Sequence, residues 1–323
     1  MGNSISFQEA AALFKRHSKI FVAAHIMPDG DCISSALGLT WALRQAGKSV
    51  NVALHDHVPK TFDFLPGYAE LTAKLPADEE LLVFLDGSAA DRFGPAYNPA
   101  LFADRPVLAI DHHATNENFA PLNLLDTRAA SCAEMIYRLV CALEIPLDQT
   151  IAQCLLTGIV TDTLGFRTTN TTSETLQAAT ALVQAGGSIA LVIERVFNQV
   201  PLPSLRLRGR VFCDAKLDGM ILWAEVPHKQ MRELGIENNG TGGIINQLLS
   251  VDQAKIAAMF VEKEDGIIEV GLRSRPGYDV ATVAAKLGGG GHKQAAGAHI
   301  PGPLQAARER VLAEIKKSLE AGN

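Results

Sequence analysis

Short, almost uninterrupted apolar runs separated by helical patterns constrain this chain more than any other feature. Residues 19–25, 50–54, 81–86 and 107–111 are such runs, and strands buried on both faces of a parallel sheet have this character. Between them the period changes to that of helices. A helix is expected over about 32–46, stopped by Gly47, which can take the left-handed conformation at a helix end. Another is expected to start at Ser131, because Ser131-x-x-Glu134 has the form of a capping box. Further helices are expected over 148–163 and 173–185. The alternation predicts an α/β fold whose N-terminal part is an open, mostly parallel sheet flanked by helices.

The chain is 323 residues long and 47% apolar, enough for two domains that each bury a core. Residues 188–210 read as a helical connector interrupted by Val200-Pro201-Leu202-Pro203. The expected division is 1–187, a connector over 188–210, and a second domain over 211–323. In the second domain, runs at 220–226, 255–261 and 266–272 predict strands, the last two forming a hairpin. With helices near 243–249, 280–287 and 304–319, this predicts a smaller α/β domain with a mixed sheet.

Charge and cysteines narrow the class of partner. A net charge of −6 argues against a grip on long duplex nucleic acid, which calls for a basic surface. No apolar run approaches the ~20 residues of a membrane helix, and the N-terminus lacks the pattern of a secretory signal. Five scattered cysteines (Cys32, Cys132, Cys141, Cys154 and Cys213) form no C-x-x-C pair, which predicts reduced thiols in a cytoplasmic protein. A homodimer is compatible with the chain.

The chemistry is expected where the runs end. His25-Ile26-Met27-Pro28-Asp29-Gly30-Asp31 follows the first, Asp86 ends the third, and Asp111-His112-His113 ends the fourth. In an open parallel sheet, ligands bind beyond the carboxyl ends of the strands. Taken singly, a strand-end aspartate is more often a cap or turn residue, and Asp31 reads equally well as a helix N-cap. Together they bring so many carboxylates to one edge that cations must neutralise them. Carboxylate oxygens mixed with imidazoles suit manganese, iron, magnesium or zinc, with manganese favoured. Two metal ions about 3.5–4 Å apart are the usual device for attack on phosphorus, and Asp86 is the natural bridging ligand. In the second half, Gly289, Gly290 and Gly291 belong to a glycine tract whose amides either form an anion nest or make a flexible turn. Beside them His292 adds a donor, and Arg273 either grips a phosphate or is a solvated strand residue.

These motifs closely resemble those of the DHH phosphoesterase superfamily. His25-x-x-Pro28-Asp29-Gly30-Asp31 resembles its first motif, Asp86 its second, Asp111-His112-His113 its third, and Asp162 in Gly158-Ile159-Val160-Thr161-Asp162 its fourth. The segment from Gly288 to Gly297 resembles the glycine-rich motif of the accompanying DHHA1 domain. The pairing is similar to the branch of bifunctional oligoribonucleases and 3′-phosphoadenosine-5′-phosphate (pAp) phosphatases. The resemblance implies one metal on His25, Asp29 and Asp86, and a second on Asp31, Asp86, His112 and Asp162. It also implies a hydroxide bridging the two as nucleophile, with His113 as acid or charge stabiliser near the scissile phosphate. Arg273, Ser274 and His292 are implied at the substrate, a short single-stranded RNA or small nucleotide. The alternative substrate is cyclic di-AMP or pApA. The alternative of another class is a non-catalytic nucleotide-binding module, expected to have lost some of these ligands; this chain has them all.

Overall fold

The computed structural model describes residues 2–102, 104–236, 241 and 243–321. The chain divides into two compact units, Met1–Gln199 and Val200–Asn323.

The first unit is built on six strands: β1 (Asn3–Ser4), β2 (Lys19–Ala24), β3 (Ser49–Ala53), β4 (Leu81–Leu85), β5 (Val107–Asp111) and β6 (Leu122–Leu125). Their order is β1-β6-β5-β4-β2-β3, and every pairing is parallel. The four expected strands are present. The outer pair β1 and β6 escaped the apolar pattern because two and four residues make no readable run. The helices are α1 (Phe7–Arg16), α2 (Gly30–Gln45), α3 (Cys132–Ala142), α4 (Gln149–Asp162), α5 (Ser173–Gln184) and α6 (Ile189–Val192), with a single π turn after α6. The helix α1 also went unread, although Ser6 and Glu9 complete a reciprocal capping box at its start. At Ser131 the box is only half formed. Ser131 Oγ accepts from the Glu134 amide, but the Glu134 carboxylate turns to the Ala130 amide and the Thr175 hydroxyl.

Strand alternation separates two cores. Ile20, Val22 and Ala24 face the helices. Phe21 and Ala23 face the other way, into a cluster with Phe84 of β4, Phe93 of a short 3-10 segment and Phe102 at the end of another. The sheet therefore carries its α-helices on one face only.

The helical face is drawn tight by small residues. A Cβ on Gly30 would lie 2.5 Å from Thr161 Oγ1, one on Gly38 2.4 Å from Leu155 Cδ2, and one on Gly158 2.5 Å from Ala133 Cβ. These absences let α2 lie against α4, so the first residues of α2 meet the last residues of α4. The Gly158 position also decides a stability question. Glycine to alanine inside a helix ordinarily stabilises by up to ~1 kcal/mol. Here the new Cβ would also stand 2.7 Å from Asp31 Oδ1, and overpacking a tight core costs about 1–3 kcal/mol. Gly158→Ala is therefore expected to lower the melting temperature, and a rise would show that the seam is loose.

The second unit starts with α7 (Leu202–Asp214), followed by β7 (Lys216–Asp218), β8 (Ile221–Val226), α8 (His228–Glu233) and α9 (Ile244–Leu249). Then come β9 (Ile256–Glu262), β10 (Ile267–Ser274), α10 (Val280–Lys286), β11 (Gly290–His292), β12 (Ala295–Pro301) and α11 (Leu304–Ala321). The sheet order is β11-β12-β10-β9-β8-β7. Only β8 and β9 are parallel, so the sheet is mixed, and β9–β10 is the expected hairpin. Leu202 and Pro203 open α7 where the sequence suggested an interruption, because proline fits the first helical turn. Among the described residues no single helix is long and apolar enough to cross a membrane.

Candidate metal centre

Every first-unit residue named from the sequence lies at the carboxyl edge of the sheet or at the helix end brought to it. His25 follows β2, and its Nδ1 lies 2.8 Å from the Ile26 carbonyl. A carbonyl only accepts, so Nδ1 carries the proton and Nε2 is left with its lone pair. That Nε2 stands 3.9 Å from Asp29 Oδ1 and 3.7 Å from Asp86 Oδ2. The loop between His25 and Asp29 turns through Met27, a left-handed residue at φ 54°, held by its amide on Asp56.

Asp29 and Asp31 divide the capping work differently from the sequence reading. Asp29 is the N-cap of α2, accepting from the amides of Asp31 and Cys32. Asp31, inside that helix, accepts instead from the Cys132 and Ala133 amides at the start of α3, at 2.6 and 2.9 Å. Its buried carboxylate is thus aimed by a second helix, with Oδ2 3.9 Å from His112 Nε2.

Asp86 is the centre of the arrangement. Left-handed backbone at φ 63° turns its side chain off the end of β4. One oxygen faces His25. The other, Oδ1, is buried and makes no hydrogen bond among the described residues, with His112 Nε2 at 3.5 Å and His113 Nδ1 at 3.8 Å. His112 donates from Nδ1 to the Ala129 carbonyl, and its Nε2 also lies 3.7 Å from Asp162 Oδ2. Asp162 is the last residue of α4, delivered by the glycine seam.

The sequence counted Asp111 among the converging carboxylates, but its oxygens are occupied inside its own turn. Oδ1 accepts from the His112 and His113 amides and from His113 Nδ1 at 2.7 Å. Oδ2 accepts from Asn116, whose amide also reaches the Gly87 carbonyl. Asp111 and Asn116 therefore set the orientation of His113, a role that no strand-end pattern reveals.

The electrostatics show what the cluster lacks. Burial pushes the Asp86 carboxyl up, but His112 and His25 outweigh it and hold the group below the usual carboxylate range. Burial depresses His112, yet Asp86, Asp31 and Asp162 raise it to about 10. Burial, with repulsion from Asp86 and Asp29, lifts Asp162 to about 6. Burial and the charges of Asp86 and Asp162 lift Asp31 well above its ordinary value. Carboxylates strained by burial and mutual repulsion beside an unpaired oxygen suit a divalent cation. Ligand atoms of His25, Asp29 and Cys32, of Asp86, His112 and His113, and of Asp31, His112 and Asp162 lie within 4.8 Å in each group. Burial and the adjacent carboxylates push the Cys32 thiol up, so the donors are oxygen and nitrogen.

In the second unit, Arg273 donates to the Leu272 carbonyl, and burial lowers its guanidinium from the ordinary value. Ser274 is buried, its hydroxyl between the Tyr278 and Lys293 carbonyls. The amides of Gly288 and Gly289 close the end of α10 by donating to Ala285 and Ala284. Gly290 and Gly291 lie in the edge strand β11, and a Cβ on Gly289 or Gly291 would strike the β12 backbone at 2.0 and 2.5 Å. The tract is thus a close-packed edge. The side chain of His292 lies outside the described residues.

An all-parallel α/β sheet with acidic and imidazole side chains gathered at its carboxyl edge defines a protein built to hold divalent cations. Comparison with known proteins narrows the class. Residues 19–159 match the DHH family, N-terminal domain, and residues 221–321 match the DHHA1 domain. The bifunctional oligoribonuclease and PAP phosphatase NrnA of Thermus thermophilus is 34% identical over 93% of this chain and 90% of its own length. The protein of that name from Bacillus subtilis is 26% identical over 93% of this chain and 94% of its own. The crystal structure of an exopolyphosphatase-related protein from Bacteroides fragilis superposes with a TM-score of 0.92 at 25% identity, covering 98% of this chain and 97% of that one. This chain belongs to the DHH family.

Proposed function

We propose that this chain is a divalent-metal-dependent phosphoesterase that hydrolyses short RNA oligonucleotides to mononucleotides and removes the 3′-phosphate of pAp. The reading rests on Asp86, a buried carboxylate with one oxygen toward His25 and an unbonded oxygen toward His112. Family membership and the names of the NrnA relatives support the reaction and substrate class. His25, Asp29 and Asp86 would hold one ion, and Asp31, Asp86, His112 and Asp162 the other. Manganese heads the candidates for this mixed donor set. Ions held there supply Lewis acidity toward phosphoryl oxygens and acidify water.

The remaining work falls to the residues of the chain. The bonds from Nδ1 of His25 and His112 to carbonyls keep each Nε2 available as a ligand. Burial lowers His113, but Asp111 and Asp86 raise it overall, which favours the imidazolium. Its Nε2 is then the atom that gives a proton to the departing oxygen. Residues 1–187 are read as the catalytic domain, 188–210 as the connector and 211–323 as the substrate domain. Arg273, Gly290, Gly291 and His292 would receive a phosphate or base of the substrate, whereas the Ser274 hydroxyl and the Gly289 amide, also expected there, are already engaged. Short single strands in the cytoplasm are the setting that fits this reading.

The test is a manganese-supplemented assay on RNA of two to five nucleotides, pAp, pApA and cyclic di-AMP. Turnover of the RNA and pAp is expected. Cleavage confined to pApA or cyclic di-AMP would move the substrate class to cyclic-dinucleotide turnover. Tight binding without turnover of any of the four would make the chain a binding module.

A further inference from the structure

The segment after β4 brings a cation to the acidic cluster that nothing in the DHH motifs accounts for. Arg92 lies in the 3-10 segment Ala90–Ala96, half-buried, with one guanidinium nitrogen 3.1 Å from His25 Nδ1. The same nitrogen of His25 is 2.8 Å from the Ile26 carbonyl, so in one tautomer it donates there and in the other it accepts from Arg92, and it engages at most one nitrogen of the fork. Among the described residues no carboxylate lies within 4.0 Å of the Arg92 guanidinium, whereas Arg44, Arg138, Arg195 and Arg308 each pair with one. A charged five-donor fork is thus held at the rim of a carboxylate cluster with one nitrogen at His25 Nδ1 and no carboxylate partner among the described residues.

The backbone holds the fork firmly. The Ile26 amide donates to the Arg92 carbonyl at 2.7 Å, tying the segment to the loop that carries His25 and Asp29. Next to it Phe93 is buried in the aromatic core. Two divalent ions would neutralise Asp29, Asp31, Asp86 and Asp162, so a phosphate arriving at the loaded site brings negative charge that these ions no longer offset. A guanidinium matches a phosphate in both shape and charge.

We propose that Arg92 is a ligand for a phosphate oxygen on the His25 side of the centre. This rests on the reading above that the site works on nucleotide phosphate esters. Arg92 contacts the phosphate and leaves the metals to their own ligands.

The test compares the parent with Arg92→Gln and Arg92→Lys, all checked for unchanged melting temperature. Manganese affinity is measured by titration calorimetry. Binding of inorganic phosphate and of AMP to the manganese-loaded proteins is measured in the same way, and KM and kcat are measured on a dinucleotide. Expected are manganese affinities within about twofold of the parent and phosphate, AMP and KM values weakened about 10- to 100-fold in Arg92→Gln. Lysine should recover part of the loss, since it restores charge without the fork. Unchanged phosphate and AMP binding in Arg92→Gln overturns the proposal. So does an equal loss of manganese affinity in both variants, which would make Arg92 a prop for His25. Phosphate binding reads Arg92 whether or not any ester is turned over. A parent that binds phosphate through Arg92 but hydrolyses nothing therefore removes the functional reading and leaves this one standing.

Discussion

Replacing Asp86 by alanine is expected to reduce kcat by about 10³-fold or more, with the loss accompanied by release of metal. The carboxylate faces His25 with one oxygen and His112 with the other, so on the proposed ligand assignment its removal would take a ligand from both halves of the centre. Metal ions contribute several kcal/mol of transition-state stabilisation, and each ~1.4 kcal/mol is a factor of ten in rate. Calorimetry should show the manganese stoichiometry of Asp86→Ala falling below that of the parent. Full activity and two bound ions in that variant would remove Asp86 from the centre. The fold should survive, because Asp86 Oδ1 makes no hydrogen bond that the protein would lose.

The second large effect has opposite signs with and without metal. Asp162 is lifted to about 6 by burial and by repulsion from Asp86 and Asp29. A carboxyl raised in the folded state adds stability below its unfolded value of about 4, and that contribution disappears as pH rises through the folded value. Above pH 6 the metal-free protein therefore carries an ionised Asp162 at a net disadvantage. Asp162→Asn should make the metal-free protein more stable at pH 7.5, by roughly 1–2 kcal/mol once its partial exposure is allowed for. That is a rise of several degrees in melting temperature for a unit of this size. The gain should vanish near pH 4, where both proteins are neutral at this position. Added manganese should reverse the order, since an ion that binds only the folded parent stabilises it by mass action. Activity should be lost under all these conditions. Two melting curves at pH 7.5, with chelator and with manganese, check the sign change. A variant less stable in both removes the idea that Asp162 is held there by a cation.

Much of the first unit was legible because burial on both faces of a parallel strand writes a continuous apolar run. The strands at 19–24, 49–53, 81–85 and 107–111 were visible for that reason, and so were the acidic and imidazole residues at their ends. The short strands β1 and β6 and the edge strand β11 were not. Their stability comes from pairing with neighbours and not from their own composition. The Gly288–Gly291 tract shows the same limit. Its pattern left an anion nest and a flexible turn open, while in the structure two of its amides close α10 and the bare Cα positions let β11 lie against β12.

The sequence by itself determined the chemical inventory of the first unit: an α/β sheet whose strands end in Asp and His, enough to bind divalent cations. Tertiary structure alone decided which carboxylates face the common centre. Asp111 ends a strand as Asp86 does, yet its oxygens are taken by amides of its own turn and by Asn116. Asp31 is aimed by amides about a hundred residues away at the start of α3. Asp162 reaches the centre only because α2 and α4 touch through glycines. Which carboxylates face a common point, and which turn into their own loop, is set by donors and close contacts that distant parts of the chain supply and only folding brings near.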